Sequence, residues 1–265
     1  MIVSECLEGP DMWTIIYDLP PFNSHGSGLP FSLARFYAAG ILYGLSHIHE
    51  RGVVFRDLKP ENVITDASGY VRIIDFGFAS KVPYVKIDPK TKEEKIQSKL
   101  YTLCGTPEYL GPEFIFNLGH DQSADLWSFG VMIHELLMGV TPFLPSNPND
   151  IPKLFTNIAL VQKRGLILSP RLDEIENSTE IKSLLHSLLK FKGVERMGMQ
   201  EGSSLAIMDH AFFADLEKEK LYAREIPAPI IPSAKSPEKM RPLDSFLEAQ
   251  RENVYTGDQS IFEGF

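Results

Sequence analysis

The stretch FRDLKPEN, residues 55–62, is followed by a short interval and then by the tripeptide DFG at residues 75–77. The residues between them are β-branched on either side of DASG, a tetrapeptide of turn-forming residues. This pattern predicts a β-hairpin with strands at 63–65 and 70–74. The hairpin places the two motifs at the same end of one small sheet, and this arrangement decides how the rest of the chain is interpreted.

The predicted hairpin brings two oxygen donors together. If it is centred between Ser68 and Gly69, antiparallel pairing sets Asn62 opposite Asp75. A carboxylate and an amide oxygen suit Mg²⁺, with a phosphate completing its coordination shell. Asp57 and Lys59, just upstream, add a carboxylate that can accept a hydroxyl proton and a cation that can stabilise a transferred phosphoryl group.

Composition narrows the class of protein. The chain has 265 residues, 43% hydrophobic content and a net charge of −9, so it can bury a core, and nucleic acid is not expected as a partner. Basic partners are the better electrostatic match. With two cysteines, at most one disulfide can form, which indicates a reducing, cytoplasmic location. Neither a secretory leader nor a membrane span is predicted.

Apolar periodicity predicts mostly helices outside the hairpin. Residues 81–99 are polar, contain two prolines and show no period, so they predict a long loop. Prolines recur after residue 222 and predict an extended tail. Helices are predicted at about 31–50, 123–139, 150–162, 179–190 and 204–213, with a further short strand at 53–54.

Four motifs in this order and spacing resemble the large lobe of a protein kinase: RDLKPEN, DFG, CGTPEYLGPE and DLWSFG. The flanking ARFYAAGI, TLCGTPEYLGPE and PAPIIPSAKSP resemble the AGC group, and within it the cyclic-nucleotide-dependent kinases. PIIPSAKSP favours the cGMP-dependent type and the terminal F-x-x-F the cAMP-dependent type, so both stay open. The resemblance implies a protein-kinase-like α+β fold, with a mainly helical large (C-terminal) lobe and short β-hairpins.

The resemblance also implies a domain organisation. Residues 1–10 correspond to a remnant of the interlobe hinge, 11–213 to the large lobe and 214–265 to an AGC-type C-terminal extension. The chain contains no G-x-G-x-x-G motif and no lysine of the V-A-I-K type ahead of the hinge. We therefore expect a fragment whose small N-terminal lobe is missing, and which by itself binds MgATP weakly and transfers phosphate poorly.

By resemblance, the motif residues take roles in catalysis and ATP binding. Asp57 corresponds to the catalytic base and Lys59 to the phosphate-contacting lysine, while Asn62 and Asp75 correspond to the ligands of Mg²⁺. The remaining ATP contacts are implied at the hinge residues Glu5 and Leu7 and at Ile64.

Further positions correspond to substrate contacts. Carboxylates can bind arginines that precede the target residue of a basic substrate; the alternative for each is a role as a solvated or structural charge. An apolar seat would receive the residue after the target. The implied arginine-binding residues are Asp11, Glu61 and Glu135, and the implied seat is Leu103, Pro107 and Leu110.

The activation segment has a candidate phosphorylation site. Arg56, beside the catalytic aspartate, can pair with a phosphate on Thr102; the alternative is an unmodified loop threonine. Lys59 together with Thr106 resembles the serine/threonine kinases rather than the tyrosine kinases.

The remaining implied roles are structural. Asp125 is expected to be buried and to fix the backbone of the catalytic loop, or alternatively to be a charge favoured at a helix N-terminus. Glu113 is expected to form a buried ion pair with Arg196. Phe55 replaces the histidine of the catalytic-loop motif as a packing aromatic, and Phe76 is the aromatic of DFG.

The resulting hypothesis is a serine/threonine kinase that uses ATP and Mg²⁺ on protein substrates with basic motifs. The resemblance also implies a cyclic-nucleotide-binding regulatory domain or subunit as a partner. The alternative is a non-catalytic interaction module built on a kinase large lobe. The retention of Asp57, Lys59, Asn62 and Asp75 argues against that module.

Overall fold

The computed structural model describes residues 5–20, 28–87 and 94–232, and helices dominate this part of the chain. The helices are α1 Met12–Tyr17, α2 Phe31–His49, α3 Pro112–Ile115, α4 Ser123–Met138, α5 Ile151–Arg164, α6 Ser178–Leu188 and α7 Lys218–Tyr222. The strands are β1 Val53–Val54, β2 Val63–Thr65, β3 Val71–Ile73, β4 Ser80–Lys81, β5 Tyr84–Ile87 and β6 Glu94–Gln97. They pair as antiparallel β1–β4, β2–β3 and β5–β6.

Helix α4 forms the centre of the core. All of its residues, Ser123 to Met138, are buried, as expected for a helix that is apolar on nearly every side. It ends at Gly139, whose φ of 66° is the left-handed conformation that favours glycine at a helix C-terminus. The rest of the fold is built around this helix, which supplies Asp125 and Glu135 to the site.

Helix α2 supports the β2–β3 hairpin directly. A Cβ atom at Gly40 would lie 2.6 Å from Val71 Cγ2, and one at Gly44 would lie 2.8 Å from Ile73 Cδ1. Because glycine has no Cβ, strand β3 can pack against the helix backbone at these two points. The hairpin is thereby fixed against the core.

The β2–β3 hairpin is present, but its register differs by one residue from the predicted one. Ile64 pairs with Arg72, and the Ile74 N–H donates to the Asn62 carbonyl at 2.9 Å. Asn62 therefore faces Ile74, and Asp75 follows one residue later. The reason is a three-residue loop closed by the Asp66–Tyr70 pair, with Gly69 at a φ of 80°, because an odd loop centres the hairpin on a residue rather than on a peptide bond.

Two predictions of secondary structure are wrong. Residues 81–99 do not form one long loop: β4 pairs with β1, and β5 pairs with β6. Strands of two to four residues are too short to show an alternating pattern. Residues 204–213 form two 3₁₀ helices, Ser204–Asp209 and Ala211–Phe213, instead of one α-helix, because His210 between them is extended and its ring accepts the Phe212 N–H.

The described part of the C-terminal extension contacts the turn of the β2–β3 hairpin. The short helix α7, which we did not predict, leads to Arg224, whose guanidinium binds the Asp66 carboxylate at 2.7 Å and lies 5.0 Å from the centre of the Tyr70 ring. The predictions for residues 1–4 and 233–265 lie outside the described residues. Within the described ranges, none of the helices combines the length and hydropathy that crossing a bilayer requires.

Candidate active site

The loop that carries Asp57 is held in place by the side chain of Asp125. This residue is fully buried, and its two carboxylate oxygens accept the N–H groups of Phe55 and Arg56, each at 2.7 Å. Arg56 has a φ of 70°, a left-handed conformation that costs a non-glycine residue about 1 kcal/mol. The two charge-assisted hydrogen bonds offset this cost and hold the loop in place.

The Asp57 carboxylate lies at the centre of a cluster of polar side chains. Asn62 Nδ2 donates to Asp57 Oδ2 at 2.8 Å, and Lys59 Nζ lies 3.1 Å from the same oxygen. The Thr106 hydroxyl donates to Asp57 Oδ1 at 3.1 Å and accepts from Lys59 Nζ at 3.0 Å. The structure thus brings together a carboxylate and a lysine that are two residues apart with a threonine from a distant segment.

Asn62 and Asp75 supply a donor set that fits a divalent cation. Because Asn62 Nδ2 donates to both Asp57 Oδ2 and the Asp57 carbonyl, its amide oxygen points away from that carboxylate. Asp75 is exposed, and one of its oxygens accepts the Gly77 N–H at 3.1 Å, which leaves the other for a ligand. An amide oxygen, a carboxylate oxygen and access to solvent suit Mg²⁺, which keeps several waters and binds substrate phosphates.

The predicted ATP contacts lie in the N-terminal segment, at Glu5 and Leu7, and on β2, at Ile64. The Gly9 N–H donates to the Thr65 carbonyl at 3.1 Å, and Asp11 forms a β-bridge with Ile64. This pairing places residues 9–11 alongside strand β2 of the hairpin. Glu5 is exposed there, whereas Leu7 and Ile64 are half-buried.

Glu135 is a buried carboxylate held by two tyrosines. It accepts the Tyr17 hydroxyl at 2.6 Å and a short hydrogen bond from the Tyr109 hydroxyl. Burial raises the pKa of Glu135 to about 7, and the charges of Glu108 and Glu61 add to the rise, while the two hydroxyls oppose it. The structure therefore groups three acidic side chains around this position.

Glu108, Tyr17 and Tyr109 were not singled out in the sequence. Burial, together with the charge of Glu61, raises the pKa of Glu108. The signal in the sequence was weak, since Glu108 and Tyr109 simply follow the Thr106-Pro107 motif. Only the tertiary structure brings these residues together: Tyr17 reaches Glu135 from α1, and the 3₁₀ helix Pro107–Tyr109 packs against α4.

The other residues predicted to contact substrate are less clearly grouped. Asp11 is the N-cap of α1, and its side chain accepts the Thr14 N–H at 2.7 Å, so one oxygen already has a structural role. In the implied apolar seat, Leu103 is 71% exposed while Leu110 is buried. Pro107, which lies between them in the sequence, is half-buried.

Thr102 is exposed on the activation segment. The Arg56 side chain extends into the same region, where Nε donates to the Phe78 carbonyl at 2.6 Å and Nη1 lies 3.4 Å from His120 Nε2. Burial and, secondarily, the Arg56 charge lower the pKa of His120 to about 4. His120 is therefore neutral at physiological pH.

Three further contacts support the site. Arg196 Nη1 and Nη2 each bind one oxygen of Glu113 at 2.7 Å, with Arg196 fully buried. The Arg196 guanidinium also lies 5.0 Å from the ring centre of Trp127. Phe55 is buried and packs edge-on against Phe76, whose ring is 52% exposed.

Comparison with known proteins decides the family, because the model of the protein kinase domain matches residues 1–213. The chain belongs to the protein kinase domain family. It is 34% identical to the cGMP-dependent protein kinase egl-4 of Caenorhabditis elegans over 93% of its length. It is also 34% identical to the cAMP-dependent protein kinase type 3 of Saccharomyces cerevisiae over 87% of its length. The human ribosomal protein S6 kinase alpha-6 is 37% identical over 77% of the chain.

This kinase-family chain spans only part of these relatives: 28% of the worm protein, 50% of the yeast protein and 24% of the human protein. The predicted resemblance to the cyclic-nucleotide-dependent kinases is confirmed. The relatives include both the cGMP-dependent and the cAMP-dependent type at the same identity.

Proposed function

We propose that this protein is a serine/threonine kinase that transfers the γ-phosphoryl group of ATP to hydroxyl groups of protein substrates. The observation that carries the proposal is the convergence of Lys59, Asn62 and Thr106 on the Asp57 carboxylate. A carboxylate fixed by three separate groups is preorganised to orient a hydroxyl and accept its proton.

Each residue of the cluster has a role in the transfer. The substrate O–H donates to Asp57, which takes the proton as the hydroxyl oxygen attacks the γ-phosphorus of ATP; the bond from that phosphorus to the bridging oxygen breaks, and ADP leaves. Lys59, already within hydrogen-bond distance of Asp57 and Thr106, provides a positive charge for the transferred group. Asn62 and Asp75 would hold Mg²⁺, which supplies charge neutralisation for the phosphates when bound. Phosphoryl transfer depends mainly on such positioning.

The position of Glu135 supports a preference for arginine before the target residue. Its carboxylate is buried and feels the charges of two other acids, and in the described part of the chain its partners are tyrosine hydroxyls and not a cation. A guanidinium can supply the missing charge and bind carboxylates in a bidentate manner. We propose that Glu135, Glu61 and Glu108 together receive the basic residues of the substrate, with Asp11 as an outer contact.

Two parts of the proposal concern regions beyond this site. Residues 1–265 contain no G-x-G-x-x-G motif or V-A-I-K-type lysine, so we propose that they bind MgATP weakly by themselves. The names of the worm and yeast relatives lead us to propose a cyclic-nucleotide-binding domain or subunit as the regulatory partner.

The direct test is a single-turnover phosphorylation assay with the protein in excess over a serine peptide that carries arginines before the target. We expect phosphoserine to form slowly, and an otherwise identical tyrosine peptide to remain unmodified. Asp57→Asn should lower the rate by about 10²- to 10⁴-fold, whereas Asp173→Asn, at an exposed carboxylate, should leave it unchanged.

Two outcomes would contradict the proposal. Equal rates for the wild type and Asp57→Asn would remove Asp57 from the chemistry. Peptide binding by the wild type without any phosphate transfer, even at high MgATP, would instead support the non-catalytic interaction module.

A further inference from the structure

A series of buried hydrogen bonds connects Ser204 to the loop that carries Asp57. Ser204 Oγ lies 2.5 Å from His49 Nδ1, and His49 Nε2 lies 2.8 Å from Asp125 Oδ2. All three residues are buried, with exposed fractions of 7%, 7% and 0%. The three side chains connect the 3₁₀ helix Ser204–Asp209, the last residue of α2 and the first turn of α4.

The direction of these hydrogen bonds follows from the chemistry of the groups. An ionised carboxylate can only accept, so His49 Nε2 carries a hydrogen and donates it to Asp125. In a neutral imidazole the other nitrogen is then an acceptor, and the Ser204 hydroxyl is the donor that lies within reach. Ser204 thus complements the tautomer that Asp125 selects and restrains the orientation of the His49 ring.

Asp125, at the far end of this series of hydrogen bonds, holds the loop that carries Asp57. Asp125 Oδ2, which accepts from His49, also accepts the Phe55 N–H at 2.7 Å. Asp125 Oδ1 accepts the Arg56 N–H at 2.7 Å, and Arg56 has the left-handed φ of 70° directly before Asp57. A rotation of the Asp125 carboxylate would lengthen both backbone hydrogen bonds and displace Asp57.

We propose that Ser204 is a positioning residue, which acts through His49 and Asp125 on the backbone of residues 55–57. The proposal rests on the kinase function proposed above where it concerns catalysis, but its structural effect can be measured without activity. Ser204 contacts neither Asp57 nor the acidic cluster in the part of the chain that the structure describes. Its loss should thus affect the chemical step more than peptide binding.

A pair of variants isolates the hydroxyl. Ser204→Thr and Ser204→Val have nearly the same shape, and only threonine can donate to His49. A polar cavity of about 300 Å³ lined by His49 and Ser204 leaves space beside this position. Ser204→Ala provides a third variant without added volume if the two larger side chains prevent folding.

Amide hydrogen exchange of Phe55 and Arg56 is the first measurement. We expect exchange at both amides to be about tenfold faster in Ser204→Val than in Ser204→Thr, with the wild type close to the threonine variant. Ser203→Ala is the matched control, because Ser203 is the adjacent serine, and in the described part of the chain its hydroxyl accepts the Leu205 N–H at 3.2 Å and makes no hydrogen bond to His49. It should leave both exchange rates unchanged.

Kinetics provide the second measurement. In single-turnover assays Ser204→Val should reduce the rate constant of phosphate transfer about fivefold to tenfold, while the peptide concentration for half-maximal rate changes less than twofold. Ser204→Thr should restore the rate. Exchange and kinetics together distinguish this proposal from the proposed function, since an inactive wild type would leave the exchange result intact.

The proposal is overturned if Ser204→Val and Ser204→Ala lower the melting temperature without faster exchange at Phe55 and Arg56, because Ser204 then serves only general stability. Equal exchange in the threonine and valine variants would likewise overturn it. If the exchange changes but phosphate transfer by an active wild type does not, the positioning role is wrong.

Discussion

Two buried glutamates of this protein, Glu113 and Glu135, have similar exposed fractions of 6% and 4% but different surroundings. Glu113 accepts two parallel hydrogen bonds from the Arg196 guanidinium. Glu135 accepts hydrogen bonds from Tyr17 and Tyr109 and lies near the charges of Glu61 and Glu108. Glu113 is thus paired with a cation inside the fold, whereas Glu135 has hydroxyl partners and acidic neighbours.

In the proposed function, Glu113 is a structural charge and Glu135 is a charge that binds substrate. A buried carboxylate is unfavourable unless it is paired or neutralised. Arg196 neutralises Glu113 permanently. At Glu135 the unfavourable burial of the charge raises the pKa of the carboxyl group. An incoming cation would stabilise the ionised carboxylate. The predictions below test whether the two glutamates differ in this way.

The largest effect is expected when the internal pair is broken. Arg196→Met leaves Glu113 buried without its partner and removes the contact with Trp127, so it should lower the free energy of unfolding by about 3–5 kcal/mol. Urea denaturation followed by circular dichroism measures this change. Glu113→Gln in the same chain should recover part of the loss, and Arg164→Met, at the exposed end of α5, should have little effect. A loss below about 1 kcal/mol would show that the pair behaves like a surface ion pair.

A smaller effect is expected from the pH dependence of Glu135. Its pKa is raised from 4.5 to about 7 in the folded state, so between these values the folded protein holds a proton that the unfolded chain has released. The free energy of unfolding should therefore fall as pH rises from about 4.5 to 7, and stay level outside this window, by about 3 kcal/mol in total.

The difference between wild type and Glu135→Gln isolates this contribution, since the amide does not titrate and other groups cancel. Urea denaturation at several pH values provides the comparison. A flat difference between pH 4.5 and 7 would mean that Glu135 ionises normally, as a fully paired carboxylate does.

The smallest effect concerns substrate binding. Glu135→Gln replaces a charge-assisted hydrogen bond to arginine by a neutral one, so KM for an arginine-containing peptide should rise about tenfold with kcat within twofold. Glu176→Gln, at an exposed glutamate, is the control. A peptide with glutamine in place of its arginines should have the same KM with either protein. If the arginine peptide also shows equal KM values, Glu135 does not bind the arginines.

Much of the helical framework could be predicted because apolar periodicity is a local property. Helices α2, α4, α5 and α6 lie close to their predicted positions. The β5–β6 hairpin and the break at His210 could not be predicted, since they depend on backbone pairing and on a side-chain hydrogen bond that leave little trace in periodicity. The predicted register of the β2–β3 hairpin was wrong by one residue, because the length of the loop, rather than the composition of the strands, sets the register.

The sequence by itself determined the catalytic motifs and the family, because Asp57, Lys59 and Asn62 lie within six residues of one another and their spacing is a covalent property. The tertiary structure alone decided which distant groups complete the site. Thr106 joins Asp57, Tyr17 and Tyr109 join Glu135, and Ser204 reaches Asp125 through His49. These contacts link residues 26 to 155 positions apart, and they exist only because the packing of helices around α4 removes water and brings them within hydrogen-bond distance.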